Sequence, residues 1–124
     1  MSYRNGPKIV SNGLVLLLDA GNTKSYPGSG TTWYDMSKNG HHATATNGPV
    51  FTSAGIKSYW TFDGVDDYID TGNTATQLGF YDADYTLFSF AYFKSVTSDH
   101  MIFGTNQTVL RQGMHNGVRS GGWY

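Results

Sequence analysis

Apolar residues along this chain recur in short runs separated by turn-forming residues, and no 3.6-residue period persists for three turns. The first run, LVLLL at 14–18, lies between Asn12-Gly13 and Asp19-Ala20-Gly21-Asn22. Too short for a stable helix and apolar on both sides, it predicts a buried central strand. Residues 43–46 alternate weakly and are closed by Asn47-Gly48-Pro49, where Pro49 pushes the preceding backbone out of the helical region. The stretch SYWTFDGVDDYI at 58–69 predicts strand, turn and strand. Trp60 and Phe62 alternate with Tyr59 and Thr61, Asp63-Gly64 punctuates, and Tyr68 and Ile69 resume the apolar pattern. The strongest strand pattern is YTLFSFAYF at 85–93. Leu87, Ser89, Ala91 and Phe93 share one face and Phe88, Phe90 and Tyr92 the other, as in the middle strand of a sandwich. Shorter strand patterns follow at 101–103, 108–111 and 118–124, and one helical turn fits 74–80.

The segment 22–40 is long, rich in Gly, Ser, Thr and Asn, and anchored only by Tyr26, Trp33 and Tyr34. Loops of this length either pack by their own side chains or carry function, and the three aromatics favour packing. Asn-Gly steps at 5, 12, 39, 47 and 116 are each candidate hairpin centres, because both residues tolerate positive φ.

Composition narrows the class. The 124 residues are one domain by length and contain no Cys, which excludes a disulfide scaffold, a thiol nucleophile and a cysteine zinc site. All nine acids are Asp, and with 16 Gly and many aromatics they point to an all-β fold rich in turns. Net charge is −1 and the eight basic residues are scattered, so neither nucleic acid nor a membrane surface has an electrostatic footprint. The first ten residues lack the apolar core of a secretory signal, and no run approaches membrane-spanning length.

The words GLVLLLDAGNTKSYPGSGTTWYDMSKNG and FDGVDDYI, in this order and spacing, resemble the laminin-G-like branch of the concanavalin A-like lectin/glucanase superfamily. The match runs from about residue 6 to 70 and is looser over 85–124. It implies a single antiparallel β-sandwich of jelly-roll type over residues 1–124. The opening also resembles virion structural proteins of tailed bacteriophages. That implies a non-enzymatic decoration, neck or fibre module, assembled in the host cytoplasm onto the particle surface, with other virion proteins or sister subunits as partners and cell-surface glycan as a further one. The family uses more chain than this, so the sandwich is expected to be incomplete at the C-terminus. Either a partner covers the edge at Gly121-Gly122-Trp123-Tyr124 or the sequence is a fragment.

Three candidate chemistries remain. Glucanases of this superfamily use two Glu flanking an Asp, and this chain has no Glu. Asp66-Asp67 is the only adjacent acidic pair, and neighbours on a strand face opposite ways, so no catalytic residue is assigned and a degenerate glycoside hydrolase is the least favoured reading. Laminin-G-like domains often bind calcium, and Asp63, Asp66, Asp67 and Asp70 crowd one loop; the same carboxylates equally suit turn capping, the favoured reading. No other cofactor is implied. Sugar recognition combines an aromatic platform with planar polar groups, and His115, Asn116, Arg119, Trp123 and Tyr124 offer that mixture, as for a free lectin domain. Packing in a core or an oligomer contact competes for Trp123 and Tyr124. His41-His42 has no zinc-site spacing and reads as exposed loop, and the sequon at Asn106 reads as a turn.

Overall fold

A computed structural model describes residues 9–80, 84–94, 100–104, 115–119 and 122–123, and among the described residues the regular structure is eight short strands and no α-helix. The fold is all-β with antiparallel sheets, and among the described residues no helix is long and apolar enough to cross a membrane. The chain divides into two compact units, Met1–Asn73 and Thr74–Tyr124.

In the first unit, β1 (Thr32–Trp33), β2 (Ala43–Thr46) and β5 (Tyr68–Asp70) form one sheet in the order β1-β2-β5. A second sheet pairs β3 (Val50–Thr52) with β4 (Tyr59–Thr61), setting Phe51 opposite Trp60. Sequence neighbours therefore belong to different sheets. Asn47-Gly48 carries the chain from β2 to β3, with Asn47 at φ 67°, and so turns the chain without making a hairpin. The expected strand, turn and strand over 58–69 is present as β4 and β5, but each pairs elsewhere: β4 with β3 and β5 with β2.

An aromatic cluster ties these sheets together. Tyr26 is buried, with its ring 4.5 Å from that of Phe51 and 4.6 Å from that of Trp60, and Trp60 lies 5.8 Å from Trp33 of β1. Tyr26 Oη also donates to the Gly30 carbonyl at 2.8 Å, closing the loop over its own anchor. Segment 22–40 thus packs by its own side chains, as its three aromatics predict. The indole N–H groups of Trp33 and Trp60 are buried with no hydrogen-bond acceptor, a cost of about 1–3 kcal/mol each that the ring packing offsets. Beside the cluster, a depression of about 90 Å³ between Tyr26, Pro27, Phe51 and Ser58 has room for a few waters.

Run 14–18 is not the buried central strand expected. It forms no strand ladder and all five residues are half-buried. Its backbone is answered mainly by side chains of the following loop. Leu17 N–H donates to Asp35 Oδ1 at 2.9 Å, and Asn39 Nδ2 donates to the Leu14 and Val15 carbonyls, each at 2.9 Å. One main-chain bond joins them, from Met36 N–H to the Leu17 carbonyl at 2.9 Å.

The second unit opens with one helical turn that the sequence caps at both ends. Thr74 N–H donates to Gln77 Oε1 and Gln77 N–H to Thr74 Oγ1, a reciprocal capping box. Gly79, at φ 73°, closes the turn: its N–H reaches the Thr76 carbonyl and that of Phe80 reaches Ala75, the paired bonds of a Schellman ending. Phe80 then packs edge-on against Tyr85 and Phe103, at 5.0 and 5.4 Å. The unit's sheet has the order β6-β7-β8, from β6 (His100–Gly104), β7 (His115–Arg119) and β8 (Gly122–Trp123). Asn116-Gly117 lies inside β7 and not at a turn, where the register slips by one residue between Met101 and Phe103, a β-bulge at Ile102.

Residues 85–93 also depart from expectation. No ladder includes them, and Phe88, Phe90 and Tyr92 are 78%, 93% and 88% exposed. Alternating β-formers prepare a chain for pairing, but a strand exists only where a partner backbone meets it, and no described segment does.

Candidate functional site

The Asp-rich turn between β4 and β5 brings three of its four candidate residues together. One carboxylate oxygen from each of Asp63, Asp66 and Asp67 lies within 4.8 Å of the others. These residues lie in the connection between β4 and β5 and not on a strand, so the alternation expected to part Asp66 from Asp67 does not operate. Asp70 does not join them; it lies in β5 opposite Thr44, and its Oδ1 accepts from Gly72 N–H at 2.7 Å.

Backbone donors occupy much of this turn. Asp63 Oδ1 accepts from Val65 N–H at 2.8 Å and from Asp66 N–H at 3.3 Å, while Asp67 Oδ2 accepts from Asp63 N–H at 2.9 Å. The Val65 N–H, aided by other N–H groups of the turn, holds the Asp63 carboxyl below the usual carboxylate range. Asp63 and Asp66 are exposed and Asp67 is half-buried. The Asp63 and Asp67 carboxylates thus cap the turn.

The candidate sugar-binding residues fall on one antiparallel pair. His115, Asn116 and Arg119 lie on β7 and Trp123 on β8, with Val118 opposite Trp123 and Arg119 opposite Gly122. Tyr124 lies outside the described residues, as do the strand expected at 108–111 and the sequon at Asn106.

Sequence reasoning missed the most connected polar group. Asp35 is 8% exposed, and its carboxylate accepts four hydrogen bonds. Oδ1 takes the Leu17 and Ser37 N–H groups at 2.9 and 2.8 Å; Oδ2 takes the Ser37 hydroxyl at 2.6 Å and the His41 N–H at 3.1 Å. Burial raises the carboxyl pKa, but the Ser37 hydroxyl and the three N–H donors outweigh it, and the net shift is downward. Both histidines lie in the loop expected, His42 exposed and His41 half-buried, and both are hydrogen-bonded: His42 Nδ1 accepts from Asp35 N–H at 3.1 Å, and His41 Nδ1 lies 3.0 Å from Asn73 Oδ1. The signal was the spacing Asp35, Ser37, Asn39, short polar residues at every second position beside an apolar run without a partner strand. This network joins loop to run and holds the fold.

The remaining surface feature is the strip 84–94. The Phe88 and Phe90 rings meet edge-on at 5.1 Å, Tyr92 follows two residues on, and exposed Asp84 and Lys94 bracket the strip. Comparison with known proteins finds no matching family model, no matching curated protein and no matching solved structure.

Proposed function

We propose that this chain is a non-enzymatic structural or surface module of a tailed-phage particle, part of a concanavalin A-like sandwich, acting by protein–protein packing. The observation that carries this reading is the exposed aromatic strip, since contiguous apolar surface rimmed by charge marks a contact face. Exposed phenyl rings in edge-on contact offer area for burial and no acid–base chemistry. The opening, residues 1–37, supports the phage side of the reading, and the sequence words over 6–70 support the sandwich. Mass spectrometry and immunogold labelling of purified particles test it: the chain is expected in fixed proportion to the other particle proteins. Recovery only in the particle-free lysate overturns the reading.

Carbohydrate binding is the second reading, supported by the β7–β8 pairing that makes Arg119 and Trp123 near neighbours along the backbone. A glycan array separates the two. Binding lost in Trp123→Ala and Arg119→Ala favours a lectin.

A further inference from the structure

We infer that the strip 84–94 pairs antiparallel with the same strip of a second copy, about a two-fold axis at Ser89. The inference rests on the packing function proposed above and names its partner.

The strip complements itself in one register. An antiparallel pair centred on Ser89 sets Phe88 opposite Phe90 of the second copy, Leu87 opposite Ala91 and Thr86 opposite Tyr92. Asp84 then falls opposite Lys94, and the two-fold axis makes that ion pair twice. Both residues are exposed in the single chain, so the charges are available. The spacing is symmetric: each lies five positions from Ser89, with no other charge between. Parallel alignment in register sets Asp against Asp and Lys against Lys, so charge selects the antiparallel arrangement. It also brings Phe88 and Phe90 of both copies onto one face, extending the edge-on contact already made within each chain.

Area favours a second copy as well. Phe88, Phe90 and Tyr92 are 78%, 93% and 88% exposed, and at roughly 150–250 Å² per aromatic side chain they offer about 500 Å² per copy. Two copies bring about 1,000 Å² to the contact, the lower bound for a specific interface. A symmetric contact also closes on itself. It consumes the exposed strip and stops at two chains, where a heterologous contact propagates.

The full chain contains no Cys, so one introduced thiol reports on geometry. Ser89→Cys is expected to form a disulfide-linked dimer under mild oxidation, because residues on the axis bring their Cα atoms within disulfide range. Thr86→Cys, whose opposite number is Tyr92, is expected not to. In sedimentation, Lys94→Asp should weaken dimerisation about tenfold by replacing two attractions with two repulsions, and adding Asp84→Lys should restore it. A chain that stays monomeric through the micromolar range overturns the inference, as does equal crosslinking of the two cysteine variants or failure of the double charge swap. The two proposals fail separately. A dimer absent from particles refutes the particle function and leaves the pairing, whereas a monomer recovered in particles does the reverse.

Discussion

Replacing Asp35 by Asn should destabilise the first unit by about 2–4 kcal/mol, although the side chain keeps its shape. The Asn carbonyl still accepts from Leu17 and Ser37 N–H, as Oδ1 does now at 2.9 and 2.8 Å, but without the charge that roughly doubles such bonds. The amide nitrogen takes the place of Oδ2 and meets the His41 N–H donor to donor. Leaving that N–H without an acceptor costs about 1–3 kcal/mol, and loss of charge from the other two bonds adds about 1 kcal/mol. Turning the amide over is worse, because its NH₂ then faces two backbone donors. The Ser37 hydroxyl has an alternative acceptor in the Val15 carbonyl at 2.8 Å, so its bond to Asp35 is not counted. Urea unfolding followed by tryptophan fluorescence measures the difference, since Trp33 and Trp60 lie in this unit. The pH dependence has a definite sign. The folded pKa of Asp35 is lowered, so its contribution is complete above the unfolded value of about 4 and is lost as pH falls through the folded value. The gap between wild type and Asp35→Asn should therefore narrow as the solution is acidified below about pH 4. Asp19→Asn is the control: Asp19 is exposed and caps only Gly21 N–H, so a change of about 0.5 kcal/mol or less is expected. An Asp35→Asn protein within about 0.5 kcal/mol of wild type at neutral pH would refute the network argument.

Gly21→Ala should cost about 1–3 kcal/mol in the same unfolding assay, because the added Cβ would lie 2.8 Å from the Ile56 carbonyl oxygen, and main chain on both sides must move. Lys38→Gly should stabilise by up to about 1 kcal/mol, since Lys38 holds φ 78°, a left-handed conformation costly for any residue with a Cβ; Lys38→Ala, which keeps the Cβ, should change little. Phe90→Ser, measured in dilute protein, should leave unfolding within about 0.5 kcal/mol of wild type because the ring is 93% exposed, whereas a core phenylalanine would cost about 3–5 kcal/mol. Purified protein should release no reducing ends from β-glucans or bacterial polysaccharides; turnover abolished by Asp66→Asn or Asp67→Asn would overturn the non-enzymatic reading.

Local rules made some elements legible, and partner choice hid others. Residues 43–46 alternate and end at Asn-Gly-Pro, and β2 covers those residues. The helical turn after Thr74 was legible because its capping box and closing glycine act within six residues. The 58–69 pattern located β4 and β5 but not their pairing, because periodicity specifies a face to bury and carries no information about which distant backbone supplies the ladder. Asn116-Gly117 shows the same limit for turns: the dipeptide permits positive φ but does not require it, and here it continues a strand beside a bulge. Among the candidate sites, residue types gave proximity for Asp63, Asp66 and Asp67 because they are close in sequence, while Asp35 went unread because its partners at 15–17 come from a segment whose own conformation was misjudged.

The runs at 14–18 and 85–93 have similar sequence character and different fates, and the difference lies in what stands nearby. Both are largely apolar stretches with the composition of interior strands, 85–93 interrupted only by Thr86 and Ser89, and neither joins a ladder. Backbone polar groups taken out of water need partners, and for 14–18 the chain supplies them through Asp35, Ser37 and Asn39, so the run can sit half-buried without a neighbouring strand. In 85–93 the rings of Phe88, Phe90 and Tyr92 stay at the surface, where they gain little from folding. Surface of that kind is stabilised only by association, at about 25 cal/mol per Å² removed from water before the entropy of association is set against it. The charges at positions 84 and 94 then decide the geometry of that association, because hydrophobic attraction alone has no direction and an ion pair on each side of a two-fold axis does.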